Sequence, residues 1–215
     1  NAPHTAGVIA NTKRAKEIGY DTVLLATPFY TKPTQAELIK HFNAVLDAVD
    51  VNIVLYSYPD KDGVELGWEV LDALADHPRV IGIKESSGSL QRAIGIATRY
   101  EGRIQLVSGS DDIALDFMFW GADSWICGPA NCMAKAVCDL DRTYRSGDLA
   151  KARAQMATLY TAMNILESGK FVQKLKYGCE LQGTPVGECR MPLGPLTAEE
   201  KADFAAAMQP IINWK

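Results

Sequence analysis

The sequence predicts an α/β fold in which a parallel sheet is covered by helices. Three observations predict it. Short apolar runs bounded by turn residues begin near positions 22, 52, 80, 104 and 124. Each is followed by helical periodicity, so the units are about 20 to 30 residues long, the size of a βα pair. At 215 residues and 47% hydrophobic, the chain is large and apolar enough to bury one sizeable core. Two folds share this pattern, an open doubly wound sheet and a (β/α)8 barrel. No Gly-x-Gly-x-x-Gly follows any strand, which counts against a dinucleotide-binding sheet.

Taken in order, the chain opens on a helix entered through Pro3, with Val8, Ile9, Thr12, Ala15 and Ile18 on its inner face and Gly19 closing it. Residues 22–26 form the first strand. Thr27-Pro28-Phe29-Tyr30 turns the chain, and Thr34 caps a helix running through Leu38, Phe42, Val45 and Val49. Residues 52–56 are the second strand, followed by an irregular loop over 57–63 and a helix over 68–75. The third strand, 80–84, leads to a helix over 90–100. The fourth, 104–107, runs into Ser108-Gly109-Ser110-Asp111-Asp112 and a helix ending at Gly121. The fifth, 124–127, passes through Gly128-Pro129-Ala130 into a helix over about 132–144. Past Gly147 the pattern changes. One long amphipathic helix covers 149–166 and another runs from 169 to about 183. A proline- and glycine-rich loop over 184–195 precedes a last helix, which opens on the capping box Thr197-Ala198-Glu199-Glu200 and ends near Gln209. The expected division is residues 1–146 as five βα units and 147–215 as a helical region.

The totals exclude several classes. A net charge of −4 gives no electrostatic footprint for nucleic acid or an acidic membrane. The longest apolar runs break after about six residues, far short of a span. The opening residues do not read as a signal peptide, and none is expected. The five cysteines are odd in number and form no Cys-x-x-Cys pair, so they read as reduced thiols of a cytoplasmic protein. His4, His41 and His77 are scattered, and no metal site is expected.

Candidate chemistry gathers at the carboxyl ends of the strands, where either fold places its site. Val80-Ile81-Gly82-Ile83 ends on Lys84, and a lysine there is expensive, because burial penalises its charge. The plain alternatives are a lysine snorkelling to water or paired with Glu85. The chemical alternative is a desolvated amine, partly neutral at pH 7 and nucleophilic toward a carbonyl carbon. An imine-forming lysine needs a dry pocket, a proton shuttle for the carbinolamine oxygen, and donors for the substrate carboxylate. Tyr56 ends the preceding strand, and its hydroxyl suits proton relay. Groups near Ser57 are candidates for the carboxylate. The turn at Asp111 and Asp112 reads as an N-cap, and Gly128-Pro129 as punctuation.

Tyr56-Ser57-Tyr58-Pro59, Gly82-Ile83-Lys84-Glu85-Ser86-Ser87-Gly88 and Ser108-Gly109-Ser110-Asp111-Asp112, in this order and spacing, resemble the dihydrodipicolinate synthase / N-acetylneuraminate lyase family. Thr27-Pro28-Phe29-Tyr30 with Pro33 matches the same family upstream. The resemblance implies a TIM (β/α)8 barrel with a C-terminal helical region and class I aldolase-type chemistry. It implies that Lys84 forms a Schiff base with a 2-keto acid such as pyruvate, with no other cofactor. Tyr56 would be the relay tyrosine, and Tyr30 the tyrosine that reaches into a neighbouring subunit's site. Ser57 and Lys61 would face substrate, Gly109 and Ile126 would line the pocket, and the assembly would be a homotetramer of tight dimers.

Three departures qualify the match. Ser57 stands where most members have asparagine. Lys61 stands where the synthases have an arginine, keeping the charge but losing the bidentate fork. Residues 169–181 look closer to the branch that deaminates 1-pyrroline-4-hydroxy-2-carboxylate. A full barrel needs eight strands and about 250 residues, so the first three βα units are expected to lie outside this chain. Two rivals stand beside the Schiff-base reading, the first of them from another class. One is a barrel without chemistry acting as a binding or regulatory protein, and the other a barrel enzyme with a phosphate site near Ser108-Gly109-Ser110.

Overall fold

The computed structural model describes residues 1–214. They form two compact units, one of Asn1–Ser110 with Asp116–Ile126, the other of Asp111–Leu115 with the chain from Cys127 on. The first unit holds a five-stranded sheet, all parallel, in the order β1 (Thr22–Ala26), β2 (Asn52–Ser57), β3 (Val80–Glu85), β4 (Gln105–Ser108) and β5 (Ser124–Trp125). Each strand pairs with the next in sequence, the simplest result of repeated right-handed βα units. Strand starts fall where the sequence places them. The fifth strand is shorter than 124–127, because the backbone turns away at Gly128-Pro129 after Ile126 donates its N–H to the Ser108 carbonyl at 3.1 Å.

The sheet's two faces differ. Side chains alternate along a strand, and Leu25, Ile53, Leu55, Ile83 and Leu106 share the face that is almost fully buried. Buried with them are Leu38, Phe42 and Val45 of α2 (Gln35–Ala48), Val70, Leu71 and Leu74 of α4 (Trp68–Leu74), and Ala93 and Ile96 of α5 (Leu90–Arg99). On the opposite face, Leu24, Val54 and Tyr56 are only half-buried and Gln105 is exposed. Lys84 lies on that face, yet it is 9% exposed.

Local signals explain the helix starts. His4 opens α1 (Thr5–Glu17), its Nδ1 accepting from Gly7 N–H at 3.1 Å. Thr34 caps α2 and completes a capping box with Glu37, whose carboxylate accepts from Thr34 N–H at 2.8 Å. That contact holds the Glu37 carboxyl below its usual range. The loop expected over 57–63 instead contains a short helix, α3 (Pro59–Asp62). Pro59 presets the first helical φ, and Gly63, at φ 79°, ends the turn in a conformation that only glycine takes cheaply.

The second unit is helical. Its elements are α7 (Ala130–Arg145), α8 (Leu149–Glu167), α9 (Phe171–Leu181) and α10 (Ala198–Ile212), around a core of Leu140, Leu159, Met163, Leu166, Phe204 and Met208. The α7 backbone breaks at Met133. The two carbonyls before the break are taken up from α9 and the residue that ends it: Cys179 Sγ donates to Asn131 O at 3.3 Å, and Gln182 Nε2 donates to Cys132 O at 3.0 Å. The last helix runs past its expected end, through Pro210, and so buries Ile211. The stretch after Ser110 is a 3₁₀ turn over Asp111–Ile113 followed by α6 (Ala114–Phe119). Among the described residues no helix is long and apolar enough to cross a membrane.

Candidate active site

The register of the central strands builds the site. Tyr56 on β2 is the direct partner of Lys84 on β3, and Ser57 that of Glu85. Neighbouring strands lie about 4.8 Å apart, so the two side chains rise side by side from the same face. The Lys84 Nζ sits 4.4 Å from the centroid of the Tyr56 ring. An ammonium over a ring face gains about 0.5–2 kcal/mol, which offsets part of its burial cost. The Tyr56 and Tyr58 rings lie 5.9 Å apart at 40°, and the Lys61 Nζ lies 5.7 Å from the Tyr58 ring. Two adjacent aromatic rings thus lie between two lysines, from the strand ends to the helix α3.

Gly109 packs close against the lysine. A Cβ there would meet Ser86 Oγ at 1.9 Å, the Glu85 carbonyl at 2.7 Å and Lys84 Cε at 2.9 Å. The loop is pinned in that position by the Ser86 hydroxyl donating to the Gly109 carbonyl at 2.9 Å and by Gly109 N–H donating to Glu85 O at 3.0 Å. Only a residue without a side chain lets this loop approach.

The remaining predicted residues fall elsewhere. Ser57 is fully buried, and its hydroxyl accepts from Leu66 N–H at 3.4 Å, on the helix-covered side of the sheet. Ile126 is 46% exposed beyond the end of β5. Tyr30 stands apart: it is 90% exposed at φ 75°, and its side chain makes no hydrogen bond or ring contact with any described residue. A bulky residue at positive φ is strained, and such strain concentrates where a side chain is held out for use. Near Lys61, burial pushes the Asp62 carboxyl up from its usual range, with the Thr27 hydroxyl working against it.

Neither plain reading of Lys84 fits its surroundings. It is buried, not snorkelling, and Glu85 faces the other side of the sheet, where its carboxylate accepts from Arg92 Nε at 2.8 Å and from Ser87 N–H at 2.7 Å. Arg92 also pairs with Glu65 at 2.8 Å and donates to the Leu66 carbonyl. The sequence reading missed Arg92 and Ser86. Arg92 did leave a signal, an arginine on the helical stripe it shares with Ala93 and Ile96.

A model of the dihydrodipicolinate synthetase family matches residues 2–211. A 4-hydroxy-tetrahydrodipicolinate synthase of Geobacter sulfurreducens is 39% identical over 207 residues, covering 95% of this chain and 71% of the relative. That of Trichlorobacter lovleyi is 38% identical over 205 residues, with the same shares. Among solved structures, a chloride-inhibited dihydrodipicolinate synthase from Acinetobacter baumannii, complexed with pyruvate, matches with a TM-score of 0.91 at 31% identity. That match covers 97% of this chain and 72% of the other.

Proposed function

The chain belongs to the dihydrodipicolinate synthetase family, and on that premise we propose that Lys84 forms a Schiff base with a 2-keto acid, pyruvate in the first instance, in a lyase or synthase reaction. The observation that carries the reading is a buried lysine at the end of β3 whose Nζ lies over the ring of its strand partner Tyr56. The neutral amine attacks the keto carbon, giving a carbinolamine. Protonation of its oxygen expels water and leaves an iminium. Tyr56 is the group placed to pass that proton. The iminium then acidifies the adjacent carbon, so a proton leaves and an enamine forms. The enamine adds to a second carbonyl, or the same steps run backwards to cleave a carbon–carbon bond.

Under this reading Gly109 keeps the pocket narrow around the lysine and Ile126 lines it. Ser57 acts from behind the sheet through its backbone. Residues 1–146 supply five βα units of a (β/α)8 barrel and 147–215 a helical region. Further βα units beyond the described sheet close the barrel, covering the half-open face that carries Val54 and Tyr56. Tyr30 extends to a neighbouring subunit in a homotetramer, and the reaction runs in the cytoplasm without a metal.

Lys61 favours a second reading of the substrate. A point charge binds a carboxylate with less geometric demand than an arginine fork, which suits a partner other than the synthase's second substrate, such as 1-pyrroline-4-hydroxy-2-carboxylate undergoing deamination. One experiment tests the common chemistry. The complete protein is incubated with pyruvate and borohydride and weighed. A mass gain mapped to Lys84 is expected, and a folded protein with no adduct would sink the reading. A panel of aspartate semialdehyde, sialic acid, keto-deoxy sugar acids and the hydroxylated pyrroline then ranks the substrates.

A further inference from the structure

We infer that Arg92 is a positioning residue, fixing the ends of β2 and β3 so that Tyr56 stays across from Lys84; the inference rests on the Schiff-base reading above. Arg92 is 7% exposed on α5, and its guanidinium makes three directed contacts at once. Its Nε donates to Glu85 at 2.8 Å, its Nη1 pairs with Glu65 at 2.8 Å, and its Nη2 donates to the Leu66 carbonyl. A Trp68 ring lies 5.0 Å from the guanidinium carbon and closes the site from the side.

Two of these contacts lead to residues beside the reacting pair. Glu85 follows Lys84 directly, is fully buried, and its second oxygen accepts from Ser87 N–H, which fixes the turn leaving β3. Leu66 donates its N–H to the Ser57 hydroxyl at 3.4 Å, and Ser57 follows Tyr56 directly. The loop is closed by Ser86 N–H donating to the Ser57 carbonyl at 2.9 Å. The result is a closed circuit from β3 through Arg92 to Leu66, then to β2 and back to β3. The side chains of Glu85 and Ser57 in this circuit lie on the sheet face opposite Lys84. Gln35 braces it, donating to Glu65 O at 3.0 Å and accepting from Gly67 N–H at 2.7 Å.

A buried ion pair is poor evidence of stability, because desolvation of both charges cancels much of their attraction. Its directed hydrogen bonds hold geometry instead, and a misplacement of about 1 Å at reacting groups costs on the order of a hundredfold in rate. The circuit offers that kind of control over the height of Tyr56 relative to Lys84.

The test compares three forms of the complete protein: wild type, Arg92→Lys, and the double variant Glu85→Met with Arg92→Met. Arg92→Lys keeps a cation but loses the fork. The double variant removes both charges, so no buried charge is left unpaired. For each, the fraction trapped on Lys84 by pyruvate and borohydride, the kcat and the KM for pyruvate are measured per mole of folded protein. The expected result is a fall in kcat of about ten- to a hundredfold in both variants, a KM within about threefold of wild type, and slower trapping. A folded double variant with wild-type kcat overturns the inference, as does loss of activity that only tracks loss of folded protein. If neither variant folds where wild type does, the circuit is a stability element and the inference falls. A wild type that gives no adduct overturns the Schiff-base reading, and this inference with it.

Discussion

Among the described residues two lysines are buried, one in each unit, and their surroundings differ. Lys174 on α9 is 7% exposed and Lys84 on β3 is 9% exposed. The Lys174 ammonium donates to the Ile165 carbonyl at 2.5 Å and to the Ser168 hydroxyl at 3.1 Å, capping the C-terminal end of α8. Burial lowers its pKa from the ordinary lysine value, with Glu200 opposing the shift. Lys84 lies over the Tyr56 ring, against a glycine loop, on the half-open face of the sheet. Burial alone therefore does not mark a reactive lysine. The two differ in where the ammonium points: one caps a helix, and the other stands near a strand end over the Tyr56 ring, the arrangement on which the proposed Schiff base rests.

The strongest way to break this contrast is to remove each amine in turn. Lys84→Met in the complete protein is expected to abolish the borohydride adduct and to lower turnover at least about a thousandfold, with the melting temperature held. Equal loss in Lys174→Met would erase the distinction. Tyr56→Phe sharpens it, since the ring stays under the ammonium while the hydroxyl goes. Turnover should fall on the order of a hundredfold, with a smaller effect on pyruvate affinity, read from kcat and KM separately.

On the helical side, Lys174→Met should leave the adduct intact and cost about 1–3 kcal/mol of stability in a denaturant titration, because two acceptors at the end of α8 lose their donor. The smallest effect belongs to a buried histidine. His41 accepts or donates at Nδ1 to the Thr5 hydroxyl at 2.9 Å, and burial lowers its pKa below the ordinary histidine value of 6.5. The folded state thus resists protonation that the unfolded chain accepts. His41 contributes fully above about pH 6.5, and stability declines as the pH falls below that value. Melting curves between about pH 5 and 8 should show this slope in wild type and a flatter one in His41→Phe.

Much of the scaffold could be read locally. The strand starts follow from apolar runs between turns, and the caps at Thr34 and Thr197 follow from a hydroxyl placed three residues before a glutamate. Two expectations failed at prolines, Pro59 and Pro210. The first nucleated a short helix inside an expected loop, and the second failed to stop one, because burying Ile211 outweighs a single missing hydrogen bond. The site was legible in part. Lys84 and Tyr56 stand at equivalent strand positions, and their pairing follows from parallel neighbours once the strands are placed. Ser57 was placed by the company it keeps in sequence, whereas strand alternation turns its hydroxyl to the other face.

By itself the sequence determined the order of elements, the strand ends on which a lysine and a tyrosine sit, and the family motifs that join them. These rest on periodicities and turns spanning a few residues, so they can be read without knowing what touches what. The tertiary structure alone decided which lysine is a cap and which faces the open side of the sheet. It also decided that Glu85 turns from Lys84 to Arg92, and that Gly109 must lack a side chain. Each of these depends on groups far apart in the chain meeting within a few ångströms, and no local pattern specifies such a partner.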